Sequence, residues 1–290
     1  MTAVEADVEP SGRAARWWRR VGSVEGFAAV IVAILVLRGA LIGLVDSVAG
    51  LALVAVFASL VLQALPFAVL GAVLRAVLLA YPPAVVDRLL RRRLIAAALT
   101  APTLSPVVLA STAVAFPGEP MLVLARLLAG VAAAVLAAVL WQRLGPRDPT
   151  DVPVRGQRDW SALIDGCRAD IVRAGGVLVL GAAVVATLAT ALPPRWLDTL
   201  AAYPVVAIGA AALLAFLLCQ RPETDAVLMA ALVPFPLTAR LVFLVVGPVV
   251  NLRTFARHNE RYGPGLAVRY APAALLAATA VAALAGWVLL

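Results

Sequence analysis

The chain has little charge and very few of the residues from which catalytic and metal sites are built. Charged residues make up 14% of its 290 residues, and it has two cysteines, Cys167 and Cys219, and one histidine, His258. A soluble globular protein carries about 25% charged residues, so this composition cannot cover an ordinary water-exposed surface. Because no Cys-x-x-Cys pair and no Cys/His cluster occurs, a structural zinc site is disfavoured and we expect no cofactor.

Two further classes of function are disfavoured by what the chain lacks. It has no Gly-x-x-x-x-Gly-Lys-Ser/Thr motif for nucleotide hydrolysis, and a serine hydrolase would have only His258 as its base, so we predict no enzyme. The net charge of +8 suggests nucleic acid, but the arginines lie in clusters beside apolar runs. That distribution follows the positive-inside rule of membrane proteins, so no nucleic-acid partner is expected. The clusters are Arg13–Arg20, Arg88–Arg93, Arg143–Arg168 and Arg253–Arg269.

What the chain has in excess is apolar residues, which make up 63% of it and give a mean hydropathy of +1.00. Several apolar runs approach the ~20 residues that a helix needs to cross a bilayer. We predict an all-α, polytopic membrane protein with about eight to nine membrane segments, in a bacterial cytoplasmic membrane with the N-terminus in the cytoplasm. The predicted organisation is a disordered cytoplasmic N-terminus at 1–23, a first membrane half at 24–142, a cytoplasmic linker at 143–169 and a second membrane half at 170–290.

Proline interrupts two apolar runs of the first half. The run 48–80 contains Pro66 and is either one kinked helix or a short segment followed by a span. Pro102 and Pro106 make a straight helix over 94–116 improbable, because each removes a donor and clashes with a preceding carbonyl. The remaining predicted spans are 24–45, 121–141, 171–192 and 197–218.

In the second half, the polar residues 219–225 end an apolar run. The stretch 226–233 that follows is about 12 Å long as a helix, too short to cross alone. A longer run, 237–252, comes next, and a basic loop at 253–269 is predicted before the last span at 270–290. Because both flanking basic segments belong in the cytoplasm, the part between them is predicted to enter and return as a hairpin.

The two halves resemble each other. Pro102 is followed three positions later by Ser105, as Pro248 is by Asn251. A second match pairs Pro66–Val73 with Gly176–Ala183. By the charge rule the matched segments run in opposite directions, which predicts an inverted repeat with broken helices. The two matches have different offsets along the sequence, and the difference is about the length of one hairpin. The first half is therefore predicted to lack a hairpin that the second half has near 200–235.

Several motifs occur in a fixed order over about residues 50–290. They are Leu65-Pro66-Phe67 with Gly71, Pro102–Pro106 with Val107-Val108-Leu109, Cys219–Ala226, Phe235-Pro236-Leu237 and Gly247–Leu252. This series resembles the YraQ-like predicted permeases, a family that includes the organoarsenical permeases called ArsP and several suspected metal effluxers. The resemblance implies a permease and places Asp225 at an aspartate of the family's motif.

The chain departs from the family pattern in ways that bear on its substrate. The family's Cys-x-Cys-Gly hairpin is missing from the first half, and Ser105 stands where the family motif has asparagine. Thiolate capture of a soft metal or arsenical is therefore in doubt. We predict a secondary permease of the efflux type for a small solute or ion, metals and metalloids among the candidates, working by alternating access in the bilayer. The alternative is a degenerate permease that serves as a non-transporting scaffold or accessory subunit, and self-association is left open.

Broken helices supply the candidate site residues. Within a bilayer, non-helical backbone persists only where protein buries it or water reaches it. The predicted substrate path is therefore Pro102, Ser105, Pro106, Gly247, Pro248 and Asn251, unless these are structural kinks satisfied by neighbouring helices. Asp225 and Glu223 are predicted to couple transport to a proton or ion, unless they are solvated turn residues or cap the helix at 226–233.

Four other polar residues have weaker cases. Three alternatives are open for Arg38 and Arg75: each faces a pore, pairs with Asp46 or another acid, or extends its side chain to the membrane interface. The last alternative is favoured for Arg75. Cys219 is a weak metal candidate that is better explained as a packed apolar residue. His258 is predicted to be solvated in a cytoplasmic loop.

Overall fold

The computed structural model describes residues 47–80, 104–145, 160–193, 195–196, 199 and 202–290. All regular structure in these residues is helical, which confirms the all-α prediction. The helices are α1 (Val48–Ala80), α2 (Pro106–Ala115), α3 (Pro120–Leu144), α4 (Trp160–Ala191), α5 (Pro204–Leu218), α6 (Asp225–Ala230), α7 (Leu237–Val249), α8 (Leu252–Tyr262) and α9 (Pro264–Leu289).

The chain forms two compact units, 1–52 and 53–290. The described part of the first unit is residues 47–52, where Gly50 N donates to Ser47 Oγ at 3.0 Å and Leu51 N donates to Ser47 O at 2.9 Å. These bonds begin helix α1. All later observations concern the second unit.

Five stretches of the described chain are long and apolar enough to cross a bilayer, which confirms a polytopic membrane protein. They are Val48–Ala76, Pro120–Leu144, Ile164–Ala191, Leu237–Tyr262 and Pro264–Leu289. Helix α5 has 15 residues, about 22 Å at 1.5 Å per residue, and is shorter than the hydrocarbon core. The count of eight to nine membrane segments stays a prediction, since 24–45 and 94–103 lie outside the described residues.

Proline begins four of these helices. Pro106, Pro120, Pro204 and Pro264 each occupy the first helical turn. The missing N–H costs nothing there, because the first turn has no intrahelical acceptor for it. Pro66, in contrast, lies inside α1, which runs as a single helix, so the chain adopts the one-helix alternative for 48–80.

Helix α7 lies at the centre of the second unit. Its residues 241–247 are all buried, and it packs against α3, α5 and α9. The faces of α3 and α9 toward the interior are stripes of alanine at intervals of four or fewer residues, which lets helix backbones approach closely. The buried alanines are Ala125, Ala129 and Ala133 on α3 and Ala267, Ala271, Ala274, Ala278 and Ala282 on α9.

The interpretation of 253–269 as a basic loop was wrong. Helix α8 occupies 252–262, and α9 begins at Pro264 rather than near 270. Asn251 Oδ1 accepts from Thr254 N at 2.9 Å and caps the start of α8. Gly263, at φ 84, separates the two helices with a backbone conformation that glycine adopts without strain.

Helix α4 also begins earlier than the apolar pattern predicted. It starts at Trp160, within the predicted polar linker, and not near 171. Its first turns are polar, so apolar run length does not show them. Helix α5 begins at Pro204 rather than near 197.

Candidate functional site

The connection from α5 to α6, residues 219–225, carries most of the polar contacts between distant parts of the chain. Helix α5 ends at Leu218, and Cys219 takes the left-handed conformation at φ 52 and ψ 32. The chain then makes a turn in which Thr224 N and Asp225 N both donate to Arg221 O, at 3.0 and 3.1 Å. Glu223, Thr224 and Asp225 are all buried. The predicted break in the apolar pattern is confirmed, and it is folded into the protein interior.

Asp225 forms a buried ion pair with Arg126 on α3. Arg126 Nη2 donates to Asp225 Oδ1 at 2.8 Å and to Oδ2 at 2.9 Å. The exposed fraction is 0% for the Arg126 side chain and 4% for that of Asp225. Removing two charges from water costs several kcal/mol for each ion, and their attraction offsets this only with good geometry and further hydrogen bonds.

Two neutral groups complete the surroundings of Arg126. Its Nη1 donates to Thr112 Oγ1 on α2 at 2.6 Å, and its Nη2 donates to Pro222 O at 3.0 Å. Thr112 Oγ1 in turn donates to Val108 O at 2.7 Å. One guanidinium therefore joins α2, α3 and the α5–α6 connection.

A second set of ion pairs lies on the other side of the α5–α6 connection. Arg75 Nη2 on α1 donates to Glu223 Oε1 at 2.8 Å, and Arg75 Nη1 lies 3.6 Å from Asp170 Oδ2 on α4. Asp170 also accepts from Arg221 Nη2 at 2.6 Å and from Arg221 Nη1 at 3.0 Å. Arg75 is the most exposed member, at 43%. The four residues form a chain of alternating charge that links α1 and α4 to the connection.

Two glycines make room for this connection. A Cβ atom on Gly71 of α1 would lie 2.6 Å from Glu223 Cγ, and one on Gly181 of α4 would lie 2.0 Å from Gln220 Nε2. Gln220 Nε2 donates to Val177 O on α4 at 3.0 Å. These glycines occupy the same position in the two sequence segments that were matched as a repeat. Glycine is required at both positions because the side chains of Glu223 and Gln220 fill the space that a Cβ atom would occupy.

Three buried side-chain atoms of the described residues have no hydrogen-bond partner among them, and all three belong to this cluster. They are Arg126 Nε, Gln220 Oε1 and Glu223 Oε2. An unsatisfied buried polar atom costs about 1–3 kcal/mol. One donor and two acceptors of this cluster are therefore available to a further partner.

The described parts of the two proline motifs, Ser105-Pro106 and Gly247–Asn251, lie at helix ends, and their hydrogen bonds are to residues nearby in the sequence. Pro102 lies outside the described residues. Ser105 precedes Pro106, and its carbonyl accepts from the first turn of α2. Gly247 and Pro248 lie in the last turn of α7, which ends at Val249. Asn251 Nδ2 donates to Gly247 O at 2.9 Å, so the amide bridges the gap between α7 and α8. These bonds resemble the structural-kink alternative, and the role of the motifs in a substrate path stays a prediction.

The contacts of the two acids exclude two of their alternatives, while the coupling role stays a prediction. Glu223 and Asp225 are buried and paired with arginine, so neither is a solvated turn residue. Neither caps α6, because its N-cap is Thr224, without a side-chain bond. Arg75 does not extend freely to an interface, as was favoured, but pairs with Glu223. Arg38 lies outside the described residues.

The remaining candidates have packing roles. Cys219 is half-buried, and its Sγ lies 3.6 Å from Phe216 O. No group of three His, Cys, Asp or Glu residues that could hold a metal occurs in the described part of the chain. The prediction of a solvated His258 was wrong. Its ring lies in α8, 4.8 Å from Trp141 and 5.5 Å from Tyr270, in a cluster of aromatic residues.

Sequence reasoning missed Arg126, Asp170 and Thr112. The signal for Arg126 was present, since it is the only charged residue between Glu119 and Arg143 in an apolar run. An isolated charge at that depth indicates a functional partner. Asp170 gave no such signal, because it lies where the polar linker was expected to end.

Comparison with known proteins assigns the family. The family model for ArsP-type predicted permeases matches residues 84–287, more than half of the chain. The match includes Arg126, Asp170 and the whole of 219–225. No curated protein and no solved structure matches significantly. The chain therefore belongs to the ArsP family of predicted permeases.

Proposed function

We propose that the chain moves a small solute or ion across a bacterial cytoplasmic membrane by alternating access, and that the Arg126–Asp225 pair lies on the path. The observation that carries this proposal is a completely buried arginine in an apolar helix, paired with an acid at a break between helices. A buried ion pair is seldom the most stable way to fill such a space, since apolar residues of the same volume often do so at no cost. Its presence is therefore better explained by transport than by stability.

The coupling role of the acids follows from their partners. Asp225 and Glu223 each hold an arginine, so a proton or a bound ion on either acid weakens the pair with Arg126 or Arg75. A released arginine then needs a new partner, because an isolated buried charge is very costly. Alternating access is a rearrangement of this kind, in which the α5–α6 connection changes its partners between two states.

The alternative function is a non-transporting scaffold or accessory subunit. The missing Cys-x-Cys-Gly hairpin favours it, because a permease that has lost part of its first half loses its path. A purely structural descendant would be expected to have an interior of Leu, Val and Ala alone. The buried polar set of the second unit favours the permease instead. Among the described residues this set is Ser111, Thr112, Arg126, Gln220, Glu223, Thr224 and Asp225.

Transport measured in proteoliposomes tests the proposal. The purified protein is reconstituted and screened for uptake and efflux against a panel of metal ions, arsenicals and small organic solutes. We expect at least one solute to move faster than in protein-free vesicles, and Asp225→Asn and Arg126→Gln to abolish that movement. Asp165→Asn is the matched control, because Asp165 is an exposed acid on α4, and it should transport normally.

The outcomes separate the two functions. Movement that Asp225→Asn leaves unchanged would refute a role of the pair in the path. A folded wild-type protein that moves no member of a broad panel, in either direction and with or without a proton gradient, would support the scaffold.

A further inference from the structure

One end of the helical bundle carries a basic patch that the transport proposal does not use. It consists of five exposed arginines from three helices: Arg143 on α3, Arg253, Arg257 and Arg261 on α8, and Arg269 on α9. The only acid between residues 252 and 270 is Glu260.

Aromatic contacts hold these three helices together. The Trp141 ring of α3 lies 4.8 Å from the His258 ring and 5.4 Å from the Tyr262 ring, both of α8. It lies 5.0 Å from the Tyr270 ring of α9. Tyr270 Oη donates to Ala137 O of α3 at 3.4 Å. The segments that carry the five arginines therefore meet at one end of the bundle, although up to 126 positions separate these residues in the sequence (143 to 269).

Helix α8 presents its arginines on one face. Arg253, Arg257 and Arg261 recur at every fourth position, so they lie along the same side of the helix. Thr254, Phe255, His258 and Tyr262 are half-buried on the opposite side, and no residue of α8 is fully buried. The stretch Leu237–Tyr262 reaches the length of a span only when α7 and α8 are taken together. The eleven polar residues of α8 cannot cross a bilayer by themselves, and such a helix belongs at the membrane surface.

The aromatic cluster indicates how deeply α8 lies in the bilayer. Tryptophan and tyrosine rings concentrate at the headgroup level of a bilayer, where an apolar ring and a polar group are both satisfied. Trp141 lies in the last turn of the apolar helix α3, and Tyr270 lies in the second turn of the apolar helix α9. The arginines beside them are thus at the height of the lipid phosphates, within reach of long side chains whose stems lie along apolar surface.

We propose that the basic patch binds the phosphate groups of anionic phospholipids in the adjacent leaflet. The planar guanidinium group donates two parallel hydrogen bonds to a phosphate, a geometry that an ammonium group does not offer. A lipid, rather than a soluble phosphate compound, is the occupant because the patch has the opposite charge to an anionic leaflet and lies at its surface. This binding site is separate from the buried ion pairs and does not depend on transport.

Native mass spectrometry of the detergent-solubilised full chain tests the proposal. The protein is titrated with phosphatidylglycerol and, separately, with phosphatidylcholine of the same acyl chains. We expect phosphatidylglycerol to bind more tightly, and Arg253→Gln/Arg257→Gln to weaken it about fivefold for each arginine, or about 25-fold in all. Glu260→Gln should strengthen it. The control, Arg168→Gln/Arg173→Gln, replaces two exposed arginines of α4 and should leave the affinity within about twofold.

Three results would overturn the proposal. The first is that the Arg253→Gln/Arg257→Gln protein, folded as judged by a wild-type circular dichroism spectrum, binds phosphatidylglycerol as tightly as the wild type. The second is that the wild type binds both lipids equally. The third is complete displacement of the lipid by millimolar inorganic phosphate or by a short RNA, which would assign the patch to a soluble ligand.

Discussion

Replacing only one partner of the Arg126–Asp225 pair should lower the free energy of unfolding more than replacing both. In Asp225→Asn, Arg126 keeps Thr112 Oγ1 and the Pro222 carbonyl as acceptors, but its charge stays completely buried without a counter-charge. Loss of one partner of a buried pair costs about 3–5 kcal/mol. In the double variant Arg126→Gln/Asp225→Asn no charge remains to be buried, so the loss should be about 1–3 kcal/mol, the range for imperfectly paired neutral groups.

The assay is a double-mutant cycle on unfolding in mixed micelles. The wild type, both single variants and the double variant are unfolded by increasing the fraction of denaturing detergent, with the helical circular dichroism signal as the measurement. We expect the double variant to be more stable than Asp225→Asn alone, which gives a large interaction energy for the pair. A parallel cycle on Arg75 and Glu223 should give a smaller value, because Arg75 is 43% exposed and water solvates it when its partner is removed.

Additivity would refute this reasoning. If the two single losses sum to the loss of the double variant within about 0.5 kcal/mol, the residues do not interact as a pair. A double variant less stable than Asp225→Asn would show that the cost lies in lost packing, not in an uncompensated charge.

Two further predictions concern the surroundings of the site. Gly181→Ala should lower the free energy of unfolding by about 1–3 kcal/mol, because its methyl group would overlap the Gln220 amide, whereas Gly175→Ala on the same helix meets nothing within 4 Å and should be neutral or stabilising. Equal effects in the same micelle assay would contradict this. Asn251→Ala should cost about 1 kcal/mol through loss of the α8 cap, and Asn251→Asp, which keeps the accepting oxygen, should recover part of it in thermal unfolding followed by circular dichroism.

The sequence predicted the class of fold and the C-terminal ends of several helices, but not the starts of α4, α5 and α9. Apolar run length and breaks at proline, such as Pro106 and Pro236, are patterns of a few neighbouring residues, and a pattern of that range is readable without a structure. The polar interruption at 219–225 was found for the same reason. Helix α8 was missed because its composition is polar; its stability comes from a cap at Asn251 and from aromatic contacts with distant helices.

The ion pairs could not be predicted from the sequence. Asp225 lies 99 positions from Arg126 and Glu223 lies 148 positions from Arg75, and no local pattern determines which acid meets which arginine. The one signal in the sequence is that Arg126 is an isolated charge in an apolar run, and this signal does not name its partner. The two matched glycines were also visible as a pair, but only the structure shows that the side chains of Glu223 and Gln220 fill the space beside them.

The pairing of three arginines with three acids around the α5–α6 connection makes that part of the protein electrically neutral. The cations are Arg75, Arg126 and Arg221, and the anions are Asp170, Glu223 and Asp225. A charge that crosses the whole membrane potential gains about 2.3 kcal/mol per 100 mV, whereas a displacement of matched opposite charges gains nothing. The connection itself carries Arg221 against Glu223 and Asp225 and so has a net charge of −1, while its partners lie on α1, α3 and α4. The membrane potential therefore exerts no net force on the cluster moving as one body, but it does act on a movement of the connection that exchanges these partners.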